Sequence, residues 1–311
     1  MITDHHNHHH DHTGSSWGNR LIVSMVMNLI IPMIQIYGGI ISGSMALISD
    51  ALHNISDFIS LMINYAALLI GRRGPSYTHT FGYKRAEIFA TLISVALLYG
   101  AGIYIAVEAW HRFRAPQPIA GQFVVWIALL GFAGNIISAL MLHSGSKVNL
   151  NMKSAFLHML SDAATSLAVA VIGFVWIYRP WYWLDPVFCW LIVGLIFYGG
   201  WGLLKDSVLI LMNATPAGID LQDIQKALES IDGIKEIHDL HVWNPSAENI
   251  ALAVHITVPD QMLSNVDDLA AKTRNILFEK FRIDHPILQF ESNSCGETKL
   301  LCSVVKHHTH D

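Results

Sequence analysis

The chain has 311 residues, 52% of them apolar and 14% charged, with a formal net charge of −5 when its 18 histidines are counted as neutral. Soluble domains carry charge on about a quarter of their residues, so this composition places much of the chain in lipid. It excludes a nucleic-acid binder, which needs a basic face, and three cysteines (Cys189, Cys295 and Cys302) exclude a secreted disulfide framework. Charges are sparse over 21–205 and ordinary over 220–291. The expected organisation is a His-rich cytoplasmic tail (1–20), a transmembrane domain (21–208), a cytoplasmic C-terminal domain (209–292) and a Cys/His-containing tail (293–311).

In chain order, the tract HHNHHHDH at 5–12 comes first, with HHTH at 307–310 as its counterpart. Tracts of this composition bind metals, and the first reads as a cytoplasmic metal collector. No basic segment followed by a cleavable apolar stretch opens the sequence, so no signal peptide is expected. Six apolar stretches follow, at 21–41, 46–70, 86–110, 123–143, 154–177 and 184–204. Each approaches the length of about 20 residues that a helix needs to cross a bilayer, and lipid admits only structures whose backbone groups are satisfied internally. Breakers lie between them: GSM at 43–45, GRRGPSY at 71–77, APQPIAG at 115–121 and YRPWYW at 178–183. With six spans both ends share a side. That side would carry Arg20, Arg72, Arg73, Lys84, Arg85, Lys147, Lys153 and Lys205, against Arg112, Arg114 and Arg179 on the other. The excess places both termini in the cytoplasm.

Ionisable residues at membrane depth are costly and mark function. The second span holds Asp50, His53 and Asp57 within SDALHNISDFISL (49–61). His53 and Asp57 are four apart and share a helix face, and Asp50 lies on roughly the same face, nearer the helix end. The fifth span repeats the HxxxD spacing with His158 and Asp162. At a rise of 1.5 Å per residue, His53 and Asp57 lie roughly 10 and 16 Å below the outer end of their span, and His158 and Asp162 roughly 6 and 12 Å from the inner end of theirs. The pairs can therefore meet near mid-membrane. Two imidazoles and two carboxylates make a four-coordinate set suited to Zn²⁺, whereas Mg²⁺ or Mn²⁺ would call for more oxygen ligands. Gln35, Asn64, Asn135 and Ser138 read as interhelical hydrogen-bonding groups, and Glu108 as a solvated residue near an outer interface.

After Pro216 the pattern becomes that of a soluble α+β domain. Helical periodicity at 219–231 is followed by alternation at 233–245 and 249–259, an amphipathic helix at 264–281 with Ser264 as N-cap, and a strand at 285–292, giving the order αββαβ. His238, His241, His255 and Glu291 are candidates for a regulatory metal site, with His285 a weaker one.

These features together resemble the cation diffusion facilitator family, in its bacterial zinc-exporting branch. The likeness runs from about Leu21 to Glu291 and is carried by the two HxxxD pairs, ISGSMALISDALHN (41–54), HTFGYKRAEIFA (79–90), LDP (184–186), LLKDSV (203–208) and HDLHVW (238–243). The resemblance implies six transmembrane helices, a metallochaperone-like cytoplasmic domain and homodimers. It also implies export of divalent cations from the cytoplasm across the inner (plasma) membrane in exchange for protons. The implied transported-metal ligands are His53, Asp57, His158 and Asp162, and in the soluble domain His238 and His255 align best, with Glu291 at a carboxylate position. Some members carry a further metal site in the loop between the second and third spans. Here His79 is present, but Tyr83 stands where a second His would fall.

The expected mechanism is alternating access with metal and protons neutralising the same groups in turn. Metal ligands must be deprotonated, and a free imidazole titrates near pH 6.5. Asp50 is assigned to a proton or ion path. The rival readings are a membrane-embedded zinc hydrolase, which lacks an HExxH motif or a spare basic Glu, and a metal sensor without flux. Within the transporter class, Cd²⁺, Co²⁺, Ni²⁺ or Fe²⁺ are alternative cargoes.

Overall fold

A computed structural model of the protein describes residues 13–146, 150–292 and 300–301. The His-rich tracts, Cys295 and Cys302 lie outside the described residues. Six long helices come first: α1 (Thr13–Ser42), α2 (Met45–Gly71), α3 (Ala86–Arg114), α4 (Gly121–Ser146), α5 (Leu150–Tyr178) and α6 (Leu184–Leu211). Among the described residues α2 to α6 are each long and apolar enough to cross a membrane, and α1 contributes a shorter apolar stretch, Leu29–Ser42. Several helices outrun the apolar stretches that announce them. Apolarity marks the part of a helix that meets lipid, while the backbone continues helical until a breaker such as Ala115–Pro116 or Arg179–Pro180 intervenes.

The described residues form two compact units, one made of those within 1–63 and 93–202, the other of those within 64–92 and 203–311. In the first, α4 and α5 make the most extensive helix pair, and α1 packs on α4. Small residues permit this closeness, as is common where helices associate in lipid. A Cβ on Gly121 would lie 2.6 Å from the carbonyl oxygen of Gly173, and one on Gly131 would lie 2.5 Å from Nε2 of Gln35. Polar groups are turned inward: Gln35, Asp50, Asn135, Ser138, Asp162, Ser166 and Asp185 are all buried, while Ile40, Leu140, Val171 and Leu191 are exposed.

In the second unit, α7 (Leu221–Glu229), β1 (Glu236–Trp243), β2 (Ala251–Thr257), α8 (Leu263–Phe281) and β3 (His285–Glu291) follow the order αββαβ. The three-stranded sheet has the order β1-β2-β3, antiparallel then parallel. The parallel pair is made possible by the α8 crossover. Ile224 and Leu228 of α7, Leu269 and Leu277 of α8, and Ile237, Leu240, Val242, Leu252, Val254 and Ile256 of the sheet form one core. Asp220 caps α7, its Oδ1 accepting from the Gln222 N–H. The expected cap at Ser264 is not used. The N-cap of α8 is Met262, without a side-chain bond, and Ser264 sits inside the first turn.

Gly121→Val must displace the Gly173 backbone, an overpacking that costs about 1–3 kcal/mol. It is expected to lower the thermal midpoint in detergent measured by tryptophan fluorescence. Gly100→Ala, whose added Cβ meets nothing within 4 Å, should leave that midpoint unchanged.

Candidate metal centre

α2 and α5 bring the four intramembrane residues into one run of contacts. His53 Nε2 lies 3.6 Å from Asp57 Oδ2, which lies 3.4 Å from His158 Nε2, which lies 3.6 Å from Asp162 Oδ2. The first and last approaches are within one helix, set by the i, i+4 spacing. The middle one crosses from α2 to α5. Asp162 is nearly fully buried, while His53, Asp57 and His158 retain partial exposure. Asp57 Oδ2 and His53 Nδ1 are buried without a hydrogen-bond partner. A buried carboxylate oxygen that stands within ion-pair distance of two imidazoles but makes no hydrogen bond to either is incompletely satisfied, and a cation bound by that oxygen completes it.

A second cluster lies on the soluble sheet. Among the described residues, His238, His255 and Glu291 are the one group of three whose ligand atoms all lie within 4.8 Å of one another. His255 Nδ1 is 2.9 Å from Glu291 Oε1, and His238 Nε2 is 3.4 Å from Glu291 Oε2. A β-bulge explains why His238 and His241 share a face. The strand register pairs His238 with His255 and His241 with Ala253, and shifts between them at Asp239, whose φ is 52°. In a regular strand residues three apart point to opposite faces, and one extra residue restores them to the same side. Asp239 itself joins the cluster, with Oδ1 3.1 Å from His241 Nε2 and Oδ2 3.7 Å from His255 Nε2. His285 stands apart, edge-on to Phe81 at 5.8 Å. In the loop between α2 and α3, His79 stacks on Tyr83 with ring centroids 4.3 Å apart.

Residues 21–212 match the family of cation efflux transmembrane domains, and 216–293 match the cation efflux protein cytoplasmic domain. The chain belongs to the cation diffusion facilitator family. It is 36% identical to a "Cadmium, cobalt and zinc/H(+)-K(+) antiporter" of Bacillus velezensis, over 95% of each chain. It is 34% identical to the "Metal cation efflux system protein CzcD" of Cupriavidus metallidurans, over 93% of this chain and 91% of that one. With the "Zinc transporter ZitB" of Escherichia coli it shares 31% identity, over 97% and 98%. The protein is thus a multi-pass membrane transporter for metal-cation efflux, not an enzyme, and the hydrolase and sensor readings fall away.

In this transporter Asp50 is held by three other side chains. Its Oδ2 accepts from Gln35 Nε2 and Ser166 Oγ, both at 2.8 Å, and its Oδ1 lies 2.9 Å from Thr165 Oγ1. Asp50 therefore ties α2 to α1 and α5. Thr165 Oγ1 is also 2.9 Å from the Asp162 carbonyl oxygen, and its single hydroxyl proton serves one acceptor at a time. Of the residues expected to bond between helices, Gln35 does so. Asn135 Nδ2 and Ser138 Oγ are instead buried without a partner among the described residues. Glu108, expected to be solvated, keeps partial exposure and also pairs with Arg112 at 3.1 Å. Thr165, Ser166 and Asp239 were not legible as site residues. The first two form a polar step three and four residues past Asp162, a signal in an otherwise apolar helix. The third depends on a bulge that no residue type announces.

Asp50→Ala orphans two buried donors, Gln35 and Ser166, each costing about 1–3 kcal/mol. It should lower thermal stability in detergent markedly, while Asp50→Asn, which keeps one accepting oxygen and the side-chain shape, should lose less.

Proposed function

We propose that the protein exports Zn²⁺ from the cytoplasm in exchange for protons, with His53, Asp57, His158 and Asp162 as the ligands of the transported ion. The observation that carries this is Asp57 Oδ2, buried without a hydrogen bond and lying 3.6 and 3.4 Å from the Nε2 atoms of His53 and His158. Two nitrogens and two carboxylates satisfy a tetrahedral d¹⁰ ion. The names of the relatives, which specify zinc, cadmium and cobalt with protons and potassium as counter-ions, support the same cargo and leave Cd²⁺ and Co²⁺ as secondary ones. Ligands must shed protons to bind metal. Low pH on the far side therefore favours release, and a higher cytoplasmic pH favours loading, so an inward proton gradient drives export by alternating access. Asp50 belongs on the proton side of this exchange. Its partner Thr165 also reaches the Asp162 carbonyl, so a change of charge at Asp50 redirects a hydrogen bond on the helix that carries two of the ligands.

The basic residues of the loops support a topology with both termini in the cytoplasm, in the inner (plasma) membrane. The match to a family of dimerising cytoplasmic domains supports a homodimer. His238, His255 and Glu291, with His241 and Asp239 beside them, form the regulatory metal site of this reading, and Zn²⁺ suits them by the same donor chemistry.

In proteoliposomes with an imposed pH gradient, Asp57→Ala and His158→Ala are expected to abolish zinc flux. Wild-type rates from either would reject the assignment. His238→Ala with Glu291→Gln should reduce the zinc bound per protomer, measured by elemental analysis, while flux persists.

A further inference from the structure

The LDP motif at 184–186 takes no part in the ion site, yet its Asp185 is only 1% exposed. Asp185 Oδ2 accepts from the Met45 N–H at 2.9 Å, and its Oδ1 accepts from the Ala46 N–H and from Ser44 Oγ, both at 3.0 Å. Ser44 Oγ in turn accepts from the Leu47 N–H at 3.3 Å. The first N–H groups of a helix have no partner within it. Here the first three of α2 are held by a carboxylate from the first turn of α6 and by the hydroxyl that this carboxylate orients. The pairing is charge-assisted and lies at the positive end of the α2 dipole. The turn before α2 is fastened as well. Ala120 N–H donates to the Ser42 carbonyl at 2.9 Å, and the Arg112 guanidinium donates to the Gly43 carbonyl. One turn further along both helices, Ser49 Oγ reaches Cys189 Sγ at 3.4 Å.

α2 carries two of the four proposed ligands. His53 lies eight residues beyond Met45, roughly 12 Å along the axis. A helix transmits a slide or rotation of its end over that distance as a stiff rod. The opposing ligands, His158 and Asp162, are on α5, so the depth and phase of α2 decide whether the two pairs face each other. We infer that Asp185 is a positioning residue of the ion site: from α6 it fixes the N-terminal end of α2, and thereby the placing of His53 and Asp57 against α5. The inference rests on the reading of those four side chains as the ligands of the transported ion.

The test uses the full-length protein in proteoliposomes, with zinc flux per folded protein followed against zinc concentration for wild type, D185A, D185N, D185E and H53A. D185A should raise the half-saturating zinc concentration about tenfold, the scale of a buried donor left unpaired. D185E, which keeps a carboxylate, should return it to within about threefold of wild type. D185N, which keeps the side-chain volume and one accepting oxygen, should fall between, and carries the test if D185A does not insert. A half-saturation unchanged in D185A or D185N, with flux reduced only in proportion to folded protein, describes an ordinary helix cap and overturns the inference. So does a D185E no better than D185A. H53A separates the two readings. If H53A is inactive while D185A and D185N behave as wild type, only the positioning role fails. If H53A transports normally, the ion-site reading fails and takes this inference with it.

Discussion

The arrangement depends on the cost of placing ionisable side chains where water is scarce. An unpaired charge in a low-dielectric medium is expensive enough that it must be satisfied by neighbours or be absent. The transmembrane unit obeys this almost everywhere. Asp185 is filled by two backbone N–H groups and a hydroxyl, and Asp50 by an amide and two hydroxyls. Glu108 is paired with an arginine one turn away. Many large aliphatic side chains face outward while polar ones such as Gln35, Asp50 and Asp185 are buried. Against that background Asp57 Oδ2, buried without a hydrogen bond, stands out, and the two imidazoles within 3.6 Å of it give it the chemistry of a cation site.

α2 is the element on which these demands converge. Its N-terminal end is held by Asp185 of α6, the next turn by Asp50 through α1 and α5, and the two turns after that carry His53 and Asp57. The contacts that hold α2 to its neighbours thus lie in its first two turns, and the proposed ligands follow in the next two. Such a division suits a transporter, because a helix that carries ligands must keep its register while protons and metal come and go. Thr165 adds a connection between the two parts. With one proton and two acceptors, Asp50 Oδ1 and the Asp162 carbonyl, its hydroxyl can bond one of them at a time.

Much of this was legible in the sequence because the signals were local. The HxxxD spacing fixes a shared face on each helix without knowledge of the rest of the chain, and a rise of 1.5 Å per residue is enough to set the two pairs at similar depths. The order αββαβ was likewise written in alternation and periodicity. What escaped depends on partners distant in sequence or on backbone detail. Asp185 caps a helix 140 residues away, so its role is invisible in its own neighbourhood. Ser264 has the residue type of an N-cap, but the chain turns into α8 two residues earlier, at Met262. Asn135 and Ser138 have the right chemistry to bond between helices and yet lack a partner for Nδ2 and Oγ among the described residues. The face shared by His238 and His241 follows from a bulge, and a strict alternation would have separated them.

The two clusters differ in a way that matches the tasks proposed for them. In the soluble domain, the ligand atoms of His238, His255 and Glu291 already lie mutually within 4.8 Å, so little has to move for an ion to be gripped. On α2 and α5 the four side chains form a chain of pairwise approaches of 3.4–3.6 Å and do not close into such a group. A site whose donors are assembled in advance spends little of its binding free energy on ordering them, and therefore holds its ion tightly. One that must draw its donors together around the ion surrenders part of that free energy, and a cargo has to be let go. Tight preassembly serves a resident, regulatory ion, and looser assembly between two helices serves one in transit.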